Sequence, residues 1–194
     1  MTSIQPFEAT DLFNLNEVNL DILTENFPLD FYFEYLILWP ELFFKSTELT
    51  LKDDRRNISG YMMAKTEGRG QLWHSHITAV TVAPTFRRIS LASKLCEALE
   101  TITDSRPHET NFIDLFVKCN NSLAVKLYEK LGYSVYRRVV GYYNSSEDGY
   151  PSTLKNVDDD KDAFDMRKSM PRDQGRSVRI DGRKHKCYPH DVRF

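Results

Sequence analysis

The fold is decided by the stretch Val80-Thr81-Val82-Ala83-Pro84-Thr85-Phe86-Arg87-Arg88-Ile89-Ser90-Leu91-Ala92, in which a strand pattern ends and a helix pattern begins. Alternating β-branched residues stop at Pro84, and apolar residues recur at helical spacing from Ser90 onward. The first amides of that helix lack intrahelical partners and lie at the positive end of the helix dipole, so they favour an anion. Arg87 and Arg88 add positive charge. The pattern indicates a phosphate-binding turn; the alternative is an ordinary strand-to-helix connection with two solvated arginines.

The composition is that of one globular domain followed by a tail. With 194 residues, 41% hydrophobic residues and a net charge of −2, the chain is neither a disordered acidic protein nor a strongly basic nucleic-acid binder. The cysteines Cys96, Cys119 and Cys187 lie far apart, which predicts no disulfide framework and no metal site. Apolar runs are too short to span a bilayer and no signal-peptide pattern is present, so we expect a cytoplasmic protein without membrane association.

Elements on both sides of the phosphate-binding turn predict a mixed α/β fold. The predicted elements are, in order, helices 8–20 and 28–39, strands 42–46, 58–65 and 71–82, helix 90–103, strand 112–117, helix 121–131, and strands 133–143 and 163–167. We expect a mostly antiparallel central sheet of about seven strands, flanked by about four helices.

The second predicted helix carries more large apolar side chains than one buried stripe holds. We expect some of them to face a partner subunit or a substrate groove; a helix sandwiched in the core is the alternative. At Ser169 the composition changes to a basic one, with Arg172, Arg176, Arg179, Arg183, Lys184, Lys186 and Arg193. We therefore expect a folded domain at 1–168 and a basic tail at 169–194 that is extended or ordered by a partner.

Two motifs make the chain resemble the GCN5-related N-acetyltransferase (GNAT) superfamily. The acetyl-coenzyme A signature of that family is Arg/Gln-x-x-Gly-x-Gly/Ala, and residues 87–92 match it except that Ser90 replaces the usual glycine. The second family motif, Asn-x-x-Ala-x-x-x-Tyr-x-x-x-Gly-Phe/Tyr, is present at residues 121–133. The resemblance implies the GNAT fold and acetyl-coenzyme A as co-substrate. The residues it implies for coenzyme binding are Val80, Val82, Arg87, Arg88, Ser90, Leu91, Ala92, Ser93 and Asn121.

Within that superfamily the chain is most similar to catalytic subunits of the NatB N-terminal acetyltransferases. The segments that carry this similarity are 19–25, 73–79, 132–138, 142–143 and 162–168. The similarity implies acetylation of the α-amine of nascent proteins that begin with Met-Asp, Met-Glu, Met-Asn or Met-Gln. It also implies a large helical-repeat auxiliary subunit, through which the enzyme contacts the ribosome and which the aromatic second helix would pack against.

Candidate catalytic and peptide-reading residues follow from the strand patterns and from the resemblance. The family implies Tyr128 as the proton donor to the departing sulfur; a tyrosine that only anchors its helix is the alternative. His74, His76 and Thr78 alternate along one strand and therefore face the same side. Hydrogen-bond donors there suit a carboxylate or amide on the second substrate residue. We expect His76 and Thr78 to read that residue, and His76 is also a candidate proton acceptor.

The resemblance assigns further residues to the peptide groove. Glu25 and Phe27 form one wall and Tyr142 and Tyr143 the other, while Asn121 holds coenzyme A or the peptide backbone, or simply caps its helix. Two other functions stay open. One is a GNAT acting on another amine, such as a lysine side chain or a different N-terminus. The other is an inactive acetyltransferase-like interaction module with a degraded cofactor site.

Overall fold

Eight strands form one hydrogen-bonded sheet within the residues that the computed structural model describes, 2–21, 24–49, 56–143 and 159–192. The strands are β1 (Ser3–Pro6), β2 (Phe43–Leu49), β3 (Arg56–Glu67), β4 (His74–Val82), β5 (Phe112–Lys118), β6 (Ser134–Val139), β7 (Ala163–Ser169) and β8 (Lys186–Cys187). Their order is β1-β2-β3-β4-β5-β7-β6-β8. The pairs β1–β2, β2–β3, β5–β7 and β6–β7 are antiparallel, and β8 lies parallel to β6. The predicted mixed, mostly antiparallel α/β sheet is confirmed, although β1 and β8 were not expected.

The helices of the described residues are α1 (Asn16–Asn19), α2 (Leu29–Leu38), α3 (Leu91–Asp104) and α4 (Ser122–Lys130). α3 begins directly after Ser90, and its buried residues recur on one face, as the sequence predicts. Gly132 follows α4 with a φ of +91°, a left-handed conformation that favours glycine at a helix C-terminus. None of these helices is long and apolar enough to cross a membrane.

The chain divides into two packing units, each with its own buried core. The first unit contains Met1–Thr66 and Ile77–Glu109, and the second contains Glu67–His76 and Thr110–Phe194. β4 thus contributes residues to both. Aromatic side chains dominate the core of the first unit, where the Phe7 and Phe43 rings stack at 4.1 Å. The core of the second unit includes Phe112, Ile113, Leu115, Val125, Tyr128, Val135, Val139, Phe164 and Met166.

Helix α2 exposes an apolar stripe, as its sequence predicts. Tyr32 and Tyr35 are buried in the core of the first unit. On another face Leu29, Phe33 and Ile37 lie one helical turn apart and are 62%, 43% and 76% exposed. An exposed stripe of this kind on one helix indicates an interaction surface.

Three predicted elements are wrong in their form or bounds. The expected helix at 8–20 is a 3-10 helix, Ala9–Asn14, followed by the single turn of α1, because the Glu8 amide donates to Asp11 and this carboxylate also pairs with Lys45. β4 begins at His74 rather than residue 71, since Gly70–Leu72 forms a 3-10 turn. β6 ends at Val139, because the Gly141 amide donates to Asp162 and the chain turns there.

The basic C-terminal segment differs from the expected extended tail. It contains three short 3-10 helices, Pro171–Asp173, Gly182–Lys184 and Pro189–Asp191, together with β8. The buried carboxylate of Asp173 accepts hydrogen bonds from Ser169 Oγ and the Ser177 amide, both at 2.8 Å. Gly182 lies so close to β6 that a Cβ would sit 1.6 Å from the Val135 carbonyl oxygen. The segment folds within the second unit because these polar and close backbone contacts offset its weak hydrophobicity.

Candidate active site

The turn between β4 and α3 contains two residues in the left-handed conformation. Val80 and Val82 are half-buried at the end of β4. Arg88 and Ser90 have φ values of +68° and +63°, in the left-handed region that favours glycine. This conformation explains why glycine suits position 90 and why serine there is strained.

The N-terminus of α3 is not capped by the side chain of its own N-cap residue. Ser90 is the N-cap residue, yet its hydroxyl accepts no hydrogen bond from the first turn, which comprises Leu91, Ala92 and Ser93. Ser90 and the two preceding arginines are exposed. Since the first amides of a helix and its dipole both favour an anion, these residues fit the pyrophosphate of coenzyme A.

The two arginines of the turn have different partners. The Arg87 guanidinium pairs with Asp21 and donates from Nε to the Val82 carbonyl at 3.1 Å, so it ties the turn to its own unit. Arg88 is exposed and forms no ion pair with another described residue. Of the two arginines, Arg88 is therefore the one whose charge no described residue pairs with.

In the second unit, His74 and His76 both face the buried carboxylate of Asp114. His76 Nδ1 lies 2.9 Å from Asp114 Oδ1, and His74 Nε2 lies 3.5 Å from the same oxygen. The His74 ring is fully buried, stacks on Phe112 at 4.6 Å, and donates from Nδ1 to the Leu72 carbonyl at 2.7 Å. His76 is partly exposed and can meet a ligand, whereas His74 in this position supports its neighbours.

Aromatic rings continue from His76 along the second unit. Phe116 lies 5.7 Å from the His76 ring and stacks on Tyr142 at 4.6 Å. Tyr142 is 37% exposed and contacts Tyr143 edge-on. The Tyr143 amide donates to the Lys161 carbonyl at 2.9 Å, which fixes the turn after β6. The two tyrosines thus form an aromatic surface whose position depends on the turn at Gly141 rather than on a strand.

Helix α4 carries the second family motif. Asn121 Oδ1 accepts a hydrogen bond from the Ala124 amide at 3.1 Å, so the capping role of Asn121 is confirmed. Tyr128, on the same helix, is buried. Its ring contacts the Tyr133 ring edge-on, with the ring centroids 5.6 Å apart. The Asn121 side chain remains exposed while it caps the helix.

The remaining peptide-groove candidates belong to the first unit. Thr78 Oγ1 lies 2.6 Å from the Tyr35 hydroxyl, and the Phe27 ring stacks on Phe31 at 4.8 Å. Glu25 is exposed. Asn26, between Glu25 and Phe27, donates from its side chain to the Asn19 carbonyl at 2.9 Å. The Asn19 side chain in turn accepts from the Tyr61 hydroxyl at 3.2 Å and donates to the Tyr32 hydroxyl at 3.3 Å. These hydrogen bonds fix the position of residues 25–27 within the first unit.

The cysteines are poorly suited to act as nucleophiles. Cys96 is buried, and burial raises the pKa of the Cys119 thiol to about 12. Burial also raises the pKa of Cys187. Since the thiolate is the nucleophilic form, neither Cys119 nor Cys187 is activated to accept an acyl group at neutral pH.

Sequence reasoning missed three residues that hold the site residues in place: Asp114, Tyr35 and Asp21. Asp114 carried a detectable signal, because it is a lone carboxylate within the apolar run 112–117. A charge in such a strand is costly unless it is paired. Tyr35 and Asp21 carried no comparable signal, since a tyrosine and a loop aspartate are common in such positions.

Comparison with known proteins identifies the family. The acetyltransferase (GNAT) family profile matches residues 14–133. The chain belongs to the GNAT family. It is 78% identical, over the full length of both chains, to the N-terminal acetyltransferase B complex catalytic subunit NAT3 of Saccharomyces cerevisiae. It is 46% identical, again over both full lengths, to the subunit naa20 of that complex in Schizosaccharomyces pombe.

Solved GNAT structures agree with the fold. A NatB acetyltransferase complex bound to a bisubstrate inhibitor contains a chain of 53% identity, matching with a TM-score of 0.85 over 99% of each chain. Naa20 of Chaetomium thermophilum in complex with a bisubstrate analogue is 39% identical, with a TM-score of 0.81 over 99% of this chain and 100% of that one. The GNAT fold expected from the two motifs is therefore confirmed.

Proposed function

We propose that this GNAT enzyme is the catalytic subunit of a NatB-type N-terminal acetyltransferase complex. The observation that carries the proposal is its 78% identity to the yeast NatB catalytic subunit over the full length of both chains. Acetyl-coenzyme A is the co-substrate and supplies the thioester whose acetyl group is transferred. The substrates are nascent chains that begin with methionine followed by Asp, Glu, Asn or Gln.

Coenzyme binding uses the turn before α3. A pyrophosphate suits the amides of Leu91, Ala92 and Ser93, which the Ser90 side chain does not cap, and the charge of Arg88, which pairs with no other described residue. Serine at position 90 keeps the backbone amide that the family uses and already adopts the left-handed conformation. An inactive module with a degraded cofactor site is therefore the weaker hypothesis. Asn121 is exposed beside its cap and can also bind coenzyme A or the peptide backbone.

Acetyl transfer needs a neutral amine and a proton for the departing sulfur. An α-amine has a pKa near 8, compared with about 10.4 for lysine, so a protein N-terminus is already partly neutral at cellular pH. The demand on a base is small, and His76 or water can take the proton that the amine loses. Tyr128 donates the proton to the sulfur, since a phenol stays protonated at neutral pH and can act as a general acid.

Recognition of the peptide rests on polar and apolar residues with separate tasks. His76 and Thr78 bind the carboxylate or amide of the second residue, and Phe27 contacts the methionine side chain. Tyr142, Tyr143 and Glu25 bind the peptide backbone. His74 is fully buried and contributes through its neighbours instead of touching the peptide.

The partner is an auxiliary subunit, built from helical repeats, that covers the apolar stripe Leu29, Phe33 and Ile37 on α2. A stripe of this size is costly in water and is stabilised by a helical partner. Contact with the ribosome is made mainly through that subunit, and the complex acts in the cytoplasm on emerging N-termini.

Initial rates with peptides of one length test the substrate class. The chain co-purified with its auxiliary subunit should acetylate Met-Asp and Met-Asn peptides at least tenfold faster than Met-Leu or Ser-Glu peptides, a difference of about 1.4 kcal/mol or more in transition-state binding. Preference for Met-Leu would contradict a NatB assignment. Saturable binding of coenzyme A distinguishes an enzyme from an inactive module.

A further inference from the structure

Asp114 is a buried charged residue to which the proposed reaction assigns no role. It lies in the middle of β5, fully buried. Its Oδ1 lies 2.9 Å from His76 Nδ1 and 3.5 Å from His74 Nε2. Its Oδ2 is also buried and accepts no hydrogen bond from another described residue. An ionised carboxylate in such a place is costly unless it is paired, so its hydrogen bond with His76 determines how that ring is oriented.

The Asp114 contact determines which nitrogen of His76 carries hydrogen. A carboxylate oxygen accepts, so the proton of a neutral His76 ring lies on Nδ1 and points to Asp114. Nε2, on the opposite side of the ring, makes no hydrogen bond to another described residue, and the side chain is 14% exposed. The outward nitrogen is therefore an acceptor when the ring is neutral and a donor when it is protonated.

We propose that Asp114 is a positioning residue that orients His76 so that the charge on His76 selects between acidic and amide side chains at the second substrate residue. This inference rests on the proposed function. A protonated His76 donates from Nε2 to the carboxylate of Asp or Glu, in a charge-assisted hydrogen bond. A neutral His76 accepts from the amide NH2 of Asn or Gln and presents a lone pair to a carboxylate, which is unfavourable.

The charged groups around His76 belong to three strands. Asp114 lies on β5 and contacts the ring directly. His74 on β4 and Glu67 at the end of β3 lie beyond it, with His74 Nε2 at 3.6 Å from Glu67 Oε1. Histidine is the side chain among these that ordinarily titrates between pH 5 and 8.

The pH dependence of substrate choice tests the proposal. We would measure kcat/KM for two peptides that differ only in Asp or Asn at position two, between pH 5.5 and 8.5, with the full chain bound to its auxiliary subunit. The titration of the α-amine is shared by both peptides and cancels in the ratio, and the peptide aspartate stays ionised over this range. We expect the Asp-to-Asn ratio to fall about tenfold as pH rises.

Two variants test whether Asp114 orients His76, and a third serves as the control. In Asp114→Asn the ratio should lose its dependence on pH, because the carboxylate that accepts from Nδ1 and fixes the His76 ring is gone. In His76→Gln the ratio should be flat, since glutamine does not titrate. Asp173→Asn removes another buried carboxylate from the same unit and should leave the pH profile of the ratio unchanged.

The outcomes that overturn the proposal are distinct from failure of the proposed function. A pH-independent ratio in the wild type, or a wild-type profile in Asp114→Asn, contradicts the role of Asp114 even when both peptides are acetylated. If neither peptide is acetylated, the proposed function itself fails and this inference fails with it. If Asp114→Asn does not fold, a pH-independent ratio in the wild type still overturns the proposal.

Discussion

The Tyr35 hydroxyl lies 2.6 Å from Thr78 Oγ1, so a residue of α2 holds a proposed peptide-reading residue of β4. Tyr35 is buried and packs against Trp39 with ring centroids 5.2 Å apart. The helix that carries the exposed apolar stripe therefore also positions Thr78. If a partner covers the stripe on α2, as proposed, we expect its binding to affect peptide recognition through this hydrogen bond.

Removal of this hydrogen bond should reduce activity more than stability. Tyr35→Phe keeps the ring and should cost about 1 kcal/mol of unfolding free energy, seen as a fall in Tm of about 2–4 °C. We expect a loss of about fivefold or more in kcat/KM for a Met-Asp peptide. Thr78→Ser keeps the hydroxyl and is the control with near wild-type kinetics. Equal kinetics in Tyr35→Phe and wild type would remove this bond from peptide recognition.

Replacing Ser90 by glycine should stabilise the protein. Ser90 has φ +63° and ψ +21°, and the left-handed conformation costs a residue other than glycine roughly 1–2 kcal/mol. After the larger chain entropy of glycine is subtracted, we expect a gain of about 0.5–1 kcal/mol, measured by thermal or urea unfolding. Glu97→Gly, in the exposed middle of α3, should instead lose about 1 kcal/mol. A lower Tm for Ser90→Gly would show that the serine hydroxyl stabilises the turn.

The two arginines of the turn should respond differently to substitution. Arg88→Ala should weaken coenzyme A binding about tenfold in a calorimetric titration and leave the Tm unchanged, because its charge has no partner among the described residues. Arg87→Ala should lower the Tm, since it removes the ion pair with Asp21 and the bond to the Val82 carbonyl. Loss of coenzyme binding confined to Arg87→Ala would reverse this assignment.

The hydroxyl of Tyr128 should matter for turnover. Tyr128→Phe removes the proposed general acid and keeps the ring contact with Tyr133, so kcat should fall about 10²–10⁴-fold with little change in peptide KM. Tyr133→Phe, at the end of the same motif, is the matched control and should retain most of the kcat. Similar losses in both variants would indicate that the pair only anchors α4.

The apolar stripe on α2 should be needed for assembly. Ile37→Lys places a charge within the exposed apolar stripe on α2. It should abolish co-purification with the auxiliary subunit, because an unpaired charge in an interface is costly. Glu34→Lys changes an exposed residue of the same helix and should assemble normally. The isolated Ile37→Lys chain should keep its Tm, since Ile37 is largely exposed. Assembly of Ile37→Lys at wild-type yield would place the interface elsewhere.

The elements near the two motifs were predictable, because their signals are local. Helical spacing and capping residues set the start of α3 after Ser90 and of α4 after Asn121. The first helix was mispredicted because its apolar spacing competes with the Glu8–Asp11 capping interaction and the ion pair to Lys45. The C-terminal segment was mispredicted because composition does not reveal that Gly182 can lie against β6.

By itself, the sequence determined the family, the turn that suits a polyphosphate, and the residue types available for chemistry, since each is encoded within a short segment. Tertiary structure alone decided which partner each side chain has. Asp114 and His76 are 38 residues apart, and their hydrogen bond depends on strand pairing that no local pattern specifies. The same applies to Arg87 and Asp21, and to Thr78 and Tyr35. Folding thus gave two similar arginines, and two similar histidines, different partners and different burial, because their neighbours in the fold come from distant parts of the chain.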